Sequence, residues 1–258
     1  MKDKILIQYN DFGKGDVLVF LHGLGADKDM FDPQIEHFRN KYRIIISDQR
    51  GNGQSQTLDV EVGRVLDIQS DDLFLLLNSL KIKNCVLIGV SYGGVLAYHF
   101  LLKYPEKVSG LVVCDSFSDT IAETLLEKAN MKFIKLSLPL YHAKKFLTFS
   151  LKLAYRKWPQ ASEYFNRKFV NLRSKEVILQ RKALNEADYT KRLHEINIPV
   201  LGIVGDRAHI LIKLMKRSFK EIKNSRLVIL KDSIDPSNLC QPEEFNLLVE
   251  DFLKEING

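Results

Sequence analysis

The chain has 258 residues, 45% of them hydrophobic, and a formal net charge of +6. This is enough apolar material for one large α/β domain. No apolar stretch approaches the ~20 residues that a membrane-spanning helix needs, and the opening MKDKILIQYN lacks a signal-peptide run. We therefore expect a cytoplasmic protein without a transmembrane segment, a nucleic-acid partner, a metal or a cofactor.

The predicted strands are short runs rich in Val, Ile and Leu, separated by segments with helical patterns. They cover residues 4–10, 16–21, 42–47, 84–89, 109–114, 198–205 and 226–230. After a hairpin-like first pair, each gap is long enough for a helix. Apolar strands alternating with helices indicate a mostly parallel sheet covered on both faces. The three cysteines, Cys85, Cys114 and Cys240, are sparse and are predicted to be buried free thiols rather than a disulfide or metal site.

The segment between the predicted strands at 109–114 and 198–205 contains residues 117–193 and is too long for one crossover connection. It contains several helical patterns, with breaks near Pro139 and Pro159. We interpret it as a helical lid over the carboxyl edge of the sheet, where open α/β sheets bind their ligands. The predicted domains are a core of residues 1–116 and 194–258 and a lid of residues 117–193.

The lid is strongly basic, with 16 Lys and Arg against 7 Asp and Glu. Such a charge favours an anionic acyl substrate, an acidic carrier protein or an anionic membrane surface. A solvated surface that keeps the helices soluble is the simpler alternative. Residues 141–158 interleave aromatic and basic side chains, which is typical either of an interfacial helix or of a helix lining a pocket.

A candidate nucleophile lies in the motif Gly89-Val90-Ser91-Tyr92-Gly93, between a predicted strand and a predicted helix. A nucleophile elbow requires this context, because small residues on either side let strand and helix approach closely. Ser91 is the predicted nucleophile. The alternative is a serine that caps an ordinary helix.

A second glycine-rich motif, Leu21-His22-Gly23-Leu24-Gly25, ends the strand at 16–21. Such a turn can direct a backbone N–H into the site, and we expect the N–H groups of Leu24 and Tyr92 to form an oxyanion hole. His22 is expected to brace the turn. Residues 48–55 (DQRGNGQS) are expected to form a tight structural loop held by charged hydrogen bonds.

In chain order, H-G-x-G, D-x-R-G-x-G-x-S, G-x-S-x-G-G and the closing PEEF (242–245) resemble the α/β-hydrolase superfamily. The closest similarity is to its lid-bearing carboxylesterase-like branch. The resemblance implies an α/β-hydrolase fold with a sheet of about seven or eight strands. It also implies hydrolysis of a small carboxylic ester or thioester through an acyl-enzyme on Ser91.

Two positions depart from the family's pattern. Ala208 stands where the family's acid usually lies, and Asp235 stands where its histidine usually lies. An ordinary carboxylate is a weak base for a serine hydroxyl, so a weakly active or inactive chain is expected. Asp206 and Asp115 are possible alternative acids.

His209 is the possible alternative base, in a rewired Ser91–His209–Asp235 arrangement. The departures fit an engineered inactive or rewired variant, a natural hydrolase with a rearranged triad, or a non-catalytic small-ligand binding protein or receptor on the same fold.

Overall fold

The computed structural model describes residues 6–122 and 124–257. Its sheet has seven strands in the order β1-β3-β2-β4-β5-β6-β7. Strand β1 is antiparallel to β3, and the other neighbours are parallel. The strands are β1 Tyr9–Phe12, β2 Val17–Leu21, β3 Arg43–Ser47, β4 Cys85–Val90, β5 Val108–Cys114, β6 Val200–Gly205 and β7 Ser225–Leu230. The predicted α/β-hydrolase architecture is confirmed.

The first strand is the one that the sequence prediction placed wrongly. It covers Tyr9–Phe12 instead of residues 4–10, of which 4 and 5 lie outside the described residues. It also pairs with β3, Tyr9 opposite Ser47, and not with β2. Both edges of β2 are occupied by parallel neighbours, β3 and β4, so β1 can join the sheet only beyond β3.

Helices cover both faces of the sheet. They are α1 Asp32–Phe38, α2 Val65–Ser79, α3 Tyr92–Lys103, α4 Leu125–Ser137, α5 Lys144–Ala154, α6 Pro159–Lys168, α7 Ser174–Leu184, α8 His209–Lys220, α9 Ser237–Cys240 and α10 Pro242–Asn257. Successive strand residues point to opposite faces. Leu18 and Phe20 pack with α1 and α10, whereas Val19 and Leu21 pack with α2 and α3. None of the helices in residues 6–122 and 124–257 is long and apolar enough to cross a membrane.

The segment between β5 and β6 contains α4, α5, α6 and α7 and is called the helical insertion below (residues 117–193). Part of it belongs to the main core: Trp158, Phe165 and Phe169 are buried with the α1 and α10 side chains. The Tyr164 hydroxyl accepts a hydrogen bond of 2.8 Å from the N–H of Asp27. All three cysteines are free and buried, as predicted.

Candidate active site

Ser91 occupies a sharp turn between β4 and α3. Its backbone has φ 54° and ψ −116°, in the left-handed half of conformational space that L-residues rarely adopt. A Cβ on Gly89 would collide with the carbonyl of Gly93, and one on Gly93 would collide with the carbonyl of Leu21. The two glycines therefore allow the close approach that places Ser91 at the carboxyl edge of the sheet. This is the geometry of a nucleophile elbow.

The turn after β2 lies directly beside Ser91. A Cβ built on Gly23 would be 3.6 Å from the Cβ of Ser91. Neither Leu24 nor Tyr92 donates its backbone N–H to an acceptor within the described ranges. The turn thus leaves both backbone donors available for the oxyanion hole that the sequence predicts, and that role stays a prediction.

His22 is fully buried in this turn and does not contact Ser91 through a hydrogen bond. Its Nδ1 lies 2.9 Å from the carbonyl oxygen of Gly23, and its Nε2 accepts the N–H of Gln49 at 3.1 Å. Burial lowers the pKa of His22, which favours the neutral ring that can accept this bond. His22 thus fastens the turn to the loop after β3, in the bracing role that the sequence predicts.

The loop at residues 48–55 is tight and held by charged groups, as predicted. The carboxylate of Asp48 accepts the backbone N–H groups of Lys28 and Gln54, each at 2.9 Å. Arg50 forms a bidentate ion pair with Asp72 on α2. These bonds fix the loop against the segment after β2 and against α2.

The hydroxyl of Ser91 donates a hydrogen bond of 2.8 Å to Oδ2 of Asp235. Asp235 lies in the loop between β7 and α9, and the hydroxyl of Tyr155 donates to its backbone carbonyl. The indole N–H of Trp158 donates to the carbonyl of Asp232 at 2.9 Å. The helical insertion therefore holds the loop that presents Asp235 to the serine.

Asp115, at the end of β5, is the second buried carboxylate of the site. It accepts the backbone N–H groups of Gly205 at 2.9 Å and of Ser237 at 2.6 Å, and burial raises its pKa. Burial, followed by the charge of Asp115, raises the pKa of Asp235 to about 8. Two buried carboxyl groups at close range resist simultaneous ionisation. Asp235 consequently holds a proton at neutral pH far more readily than an ordinary aspartate.

The remaining candidates lie around the β6 turn. Ala208 is half-buried at the start of α8, and Asp206 accepts the N–H of Ser233 at 3.1 Å, bridging the β6 and β7 loops. His209 is exposed as the first residue of α8 and does not line the cavity beside Ser91. The rewired Ser91–His209–Asp235 arrangement does not form, because Ser91 bonds directly to Asp235 and the helix start leaves His209 in solvent.

A cavity of about 210 Å³ opens beside Ser91 and Asp235. Its walls are mostly apolar, and they come from the core and the insertion alike: Phe117, Met131, Ile134, Leu184, Leu211 and Leu214. Besides Ser91, Asp115 and Asp235, the polar residues of the wall include Glu127, which is paired with Lys213, and Arg181 of α7, which is half-buried. Its Nε is buried and has no hydrogen-bond acceptor among the described residues. Burial lowers the pKa of Arg181, so its guanidinium is poorly solvated and suited to an anion.

Sequence reasoning did not identify Arg181 individually, although a signal was present. Val177 and Leu184, four residues before it and three after it, are buried, and Gln180 beside it is buried too. Residues at these spacings lie on one face of a helix, so the side chain at position 181 is expected to point toward the core.

The comparisons with known proteins agree with this geometry. The sequence pattern of the alpha/beta hydrolase fold family matches residues 16–234. The 3-oxoadipate enol-lactonase 2 of Acinetobacter baylyi is 28% identical over 266 aligned residues, which cover 98% of this chain and 95% of that protein. The 2-hydroxy-6-oxo-6-phenylhexa-2,4-dienoate hydrolase of Comamonas testosteroni is 25% identical, with 97% and 92% covered.

Among solved structures, a thermophilic esterase from Thermogutta terrifontis superposes with a TM-score of 0.83. It is 23% identical, and the superposition covers 98% of this chain and 94% of the esterase. The structural likeness concerns the fold, and the family match extends from before β2 to the loop that carries Asp235. The chain belongs to the α/β-hydrolase fold family.

Proposed function

We propose that the protein is a serine hydrolase of small carboxylic esters, thioesters or lactones, working through an acyl-enzyme on Ser91. The observation that carries the proposal is the strained elbow of Ser91, with its hydroxyl on Asp235 at 2.8 Å and free backbone N–H groups at Leu24 and Tyr92. Relatives at 28% and 25% identity include an enol-lactonase and a dienoate hydrolase, which supports carbonyl hydrolysis.

Asp235 takes the place of the family's histidine in the proton transfers. Ser91 Oγ attacks the carbonyl carbon while its proton passes to Asp235, and the N–H groups of Leu24 and Tyr92 stabilise the oxyanion. Collapse breaks the bond to the leaving oxygen or sulfur, which receives that proton from Asp235. Water then attacks the acyl-enzyme, gives its proton to Asp235, and releases the acid as Ser91 is reprotonated.

The raised pKa of Asp235 decides how well this works. A carboxylate with an ordinary pKa near 4 is a poor base for a serine, but one with a pKa of about 8 has a basicity comparable to that of histidine. Only the ionised form accepts the proton. The hydrolase is therefore expected to be slow at neutral pH and faster above pH 8.

The substrate is proposed to carry an anionic group, such as a carboxylate, on its acyl side. Arg181 lies in the wall of the cavity that contains Ser91, and no described residue supplies an acceptor for its Nε. The apolar walls favour a short aliphatic or unsaturated chain between the carbonyl group that Ser91 attacks and the anionic group of the substrate. In this proposal the helical insertion acts as the lid that supplies the anion-binding residue.

The test uses p-nitrophenyl butyrate and the p-nitrophenyl monoester of glutaric acid at pH 7 and pH 9, followed by intact mass spectrometry. Hydrolysis and any acyl adduct should disappear in Ser91→Ala and persist in the matched control Ser79→Ala, a hydroxyl at the end of α2. Activity that survives Ser91→Ala would place the chemistry elsewhere.

A second function is favoured by the same buried pair of carboxyl groups. At neutral pH a protonated Asp235 takes no proton from Ser91, and the cavity can then hold a small ligand without turning it over. A ligand that raises the melting temperature and is recovered chemically intact, at pH 9 as well as at pH 7, would support a binding protein. Steady product release supports the hydrolase.

A further inference from the structure

The helices α4 and α5 of the insertion have apolar side chains on two faces. On the inner face, Met131 and Ile134 of α4 line the cavity, and Leu147 of α5 packs against the core. On the outer face, five further large apolar side chains are between 57% and 70% exposed: Phe133, Leu136, Phe146, Phe149 and Leu153. A helix in water normally needs only one apolar face.

This exposure is concentrated in one segment. Among the described residues thirteen large hydrophobic side chains are exposed, and eight of them lie between residues 121 and 153. Single exposed apolar side chains are normal on any protein surface, whereas a dense group of them marks an interaction site. The outer faces of α4 and α5, with Phe133, Leu136, Phe146, Phe149 and Leu153, are called the outer surface below.

The charge on the same segment has one sign. From Lys128 to Ser162 the sequence contains eight Lys and Arg and no Asp or Glu. Within the ranges that the structure describes, five of these lysines form no ion pair and are exposed: Lys128, Lys132, Lys135, Lys145 and Lys152. Lys157 of the same segment is paired with Asp232, and outside the segment Lys213 is paired with Glu127.

An apolar stripe bordered by lysines fits the interface of an anionic bilayer. Phenylalanine and leucine can enter the acyl boundary while the lysine stems extend along it and their ammonium groups reach the lipid phosphates. A second copy of this chain would instead bring two cationic surfaces together, which is unfavourable. The helices have 13 and 11 residues, so they would lie along the interface and not cross it.

We propose that the outer surface docks the protein on membranes that contain anionic phospholipids. Because α4 also lines the cavity beside Ser91, docking would bring the site next to the lipid. This proposal is independent of the catalytic one, since it concerns binding and involves none of Ser91, Asp235 or Arg181.

The experiment is co-sedimentation of the full chain with vesicles of phosphatidylcholine alone or mixed with phosphatidylserine. Wild-type protein should sediment with the mixed vesicles at least about tenfold more strongly than with phosphatidylcholine, and the binding should weaken as salt rises. Replacing Phe133, Phe146 and Phe149 by Ser should lower the partition coefficient by about tenfold or more. The matched control Ile229→Ser/Leu247→Ser removes exposed apolar side chains elsewhere and should bind as the wild type does.

The alternatives give different results. Wild-type binding that does not depend on phosphatidylserine, or that is unchanged in the triple Phe→Ser variant, would overturn the proposal. So would a concentration-dependent dimer, measured by light scattering, that the triple variant abolishes, because the outer surface would then be covered by a second copy. Strong binding to polyglutamate but not to vesicles would assign the surface to an acidic macromolecule. Circular dichroism melting verifies that each variant is folded.

Discussion

The two halves of the site are built in different ways. The half that holds the serine and the proposed oxyanion donors depends on the backbone. It consists of the strained turn at Ser91, the close approach at Gly89 and Gly93, and the N–H groups of Leu24 and Tyr92. The half that is proposed to move the proton depends on side chains in the loops after β6 and β7, where the sequence resemblance places Ala208 and Asp235 at the positions of the family's acid and histidine. The backbone half, which would bind the carbonyl group, can therefore be retained while the side-chain half, called the proton-transfer half below, changes.

The loops of the proton-transfer half are nevertheless well ordered by hydrogen bonds. Asp115 accepts the N–H groups of Gly205 and Ser237, and Asp206 accepts that of Ser233. The difference between the halves is thus one of side-chain chemistry and not of missing structure. Suitable side chains placed in these loops should then be enough to restore a fast reaction.

The largest expected effect is that of Ala208→Asp combined with Asp235→His. Histidine at 235 would take the Ser91 proton and return it to the leaving group, and aspartate at 208 would orient the ring and stabilise its charged form. We expect kcat at pH 7 to rise about a thousandfold or more, the scale of a missing triad member. Ester hydrolysis under saturating substrate is the measurement.

The single variants are the controls for this prediction. Asp235→His alone should recover part of the gain and Ala208→Asp alone almost none, because the groups act as a unit. Full recovery by Asp235→His alone would show that Asp115, already close to residue 235, serves as the acid. A folded double variant that binds substrate but stays at the wild-type rate would contradict the assignment of the two loops.

The sequence predicted the strand–turn–helix setting of Ser91, whereas it did not predict the surroundings of Asp235. The turn at Ser91 follows from local rules, since only glycine allows the close approach at 89 and 93. The pKa of Asp235 does not follow from such rules, because it depends on burial and on Asp115, 120 positions away in the chain. The position of β1 also depends on residues distant in the chain. Both edges of β2 are paired with β3 and β4, so β1 pairs with β3.

The pH dependence of hydrolysis tests whether Asp235 is the base. Its pKa of about 8 means that the ionised fraction rises about fiftyfold between pH 6 and pH 8, and kcat should rise with it. Asp235→Asn, which cannot accept the proton, should lose most of the activity and the dependence. The exposed Asp59→Asn is the matched control and should keep both.

Stability gives an independent check on the same pKa. The folded-state pKa of Asp235 lies above its unfolded value, so its contribution to stability is complete below pH 4 and is lost as the pH rises to about 8. The wild type should therefore lose more unfolding free energy over this range than Asp235→Asn does. If the unfolding free energies of the two proteins, measured in urea, change equally between pH 5 and pH 8, Asp235 is an ordinary carboxylate. Its role as the proposed base would then be excluded.

The smallest expected effect concerns substrate choice and depends on a side chain of the helical insertion, outside both halves. Arg181 has a buried Nε without an acceptor in the part of the chain that the structure describes, and burial lowers the pKa of its guanidinium. An incoming carboxylate would therefore gain a charge-assisted hydrogen bond at little further cost in desolvation. Arg181→Met keeps the length and apolar stem but removes the charge. We expect kcat/KM for the glutarate monoester to fall about tenfold or more, as is typical for loss of a hydrogen bond to a charged group. Hydrolysis of the uncharged butyrate ester should change little.

Arg181→Lys keeps the charge without the planar fork and should retain part of the preference for the glutarate monoester. Equal losses for both esters would mean that Arg181 acts on the cavity's shape or on Asp235, whose pKa it lowers, and a shifted pH profile in Arg181→Met would identify the second case.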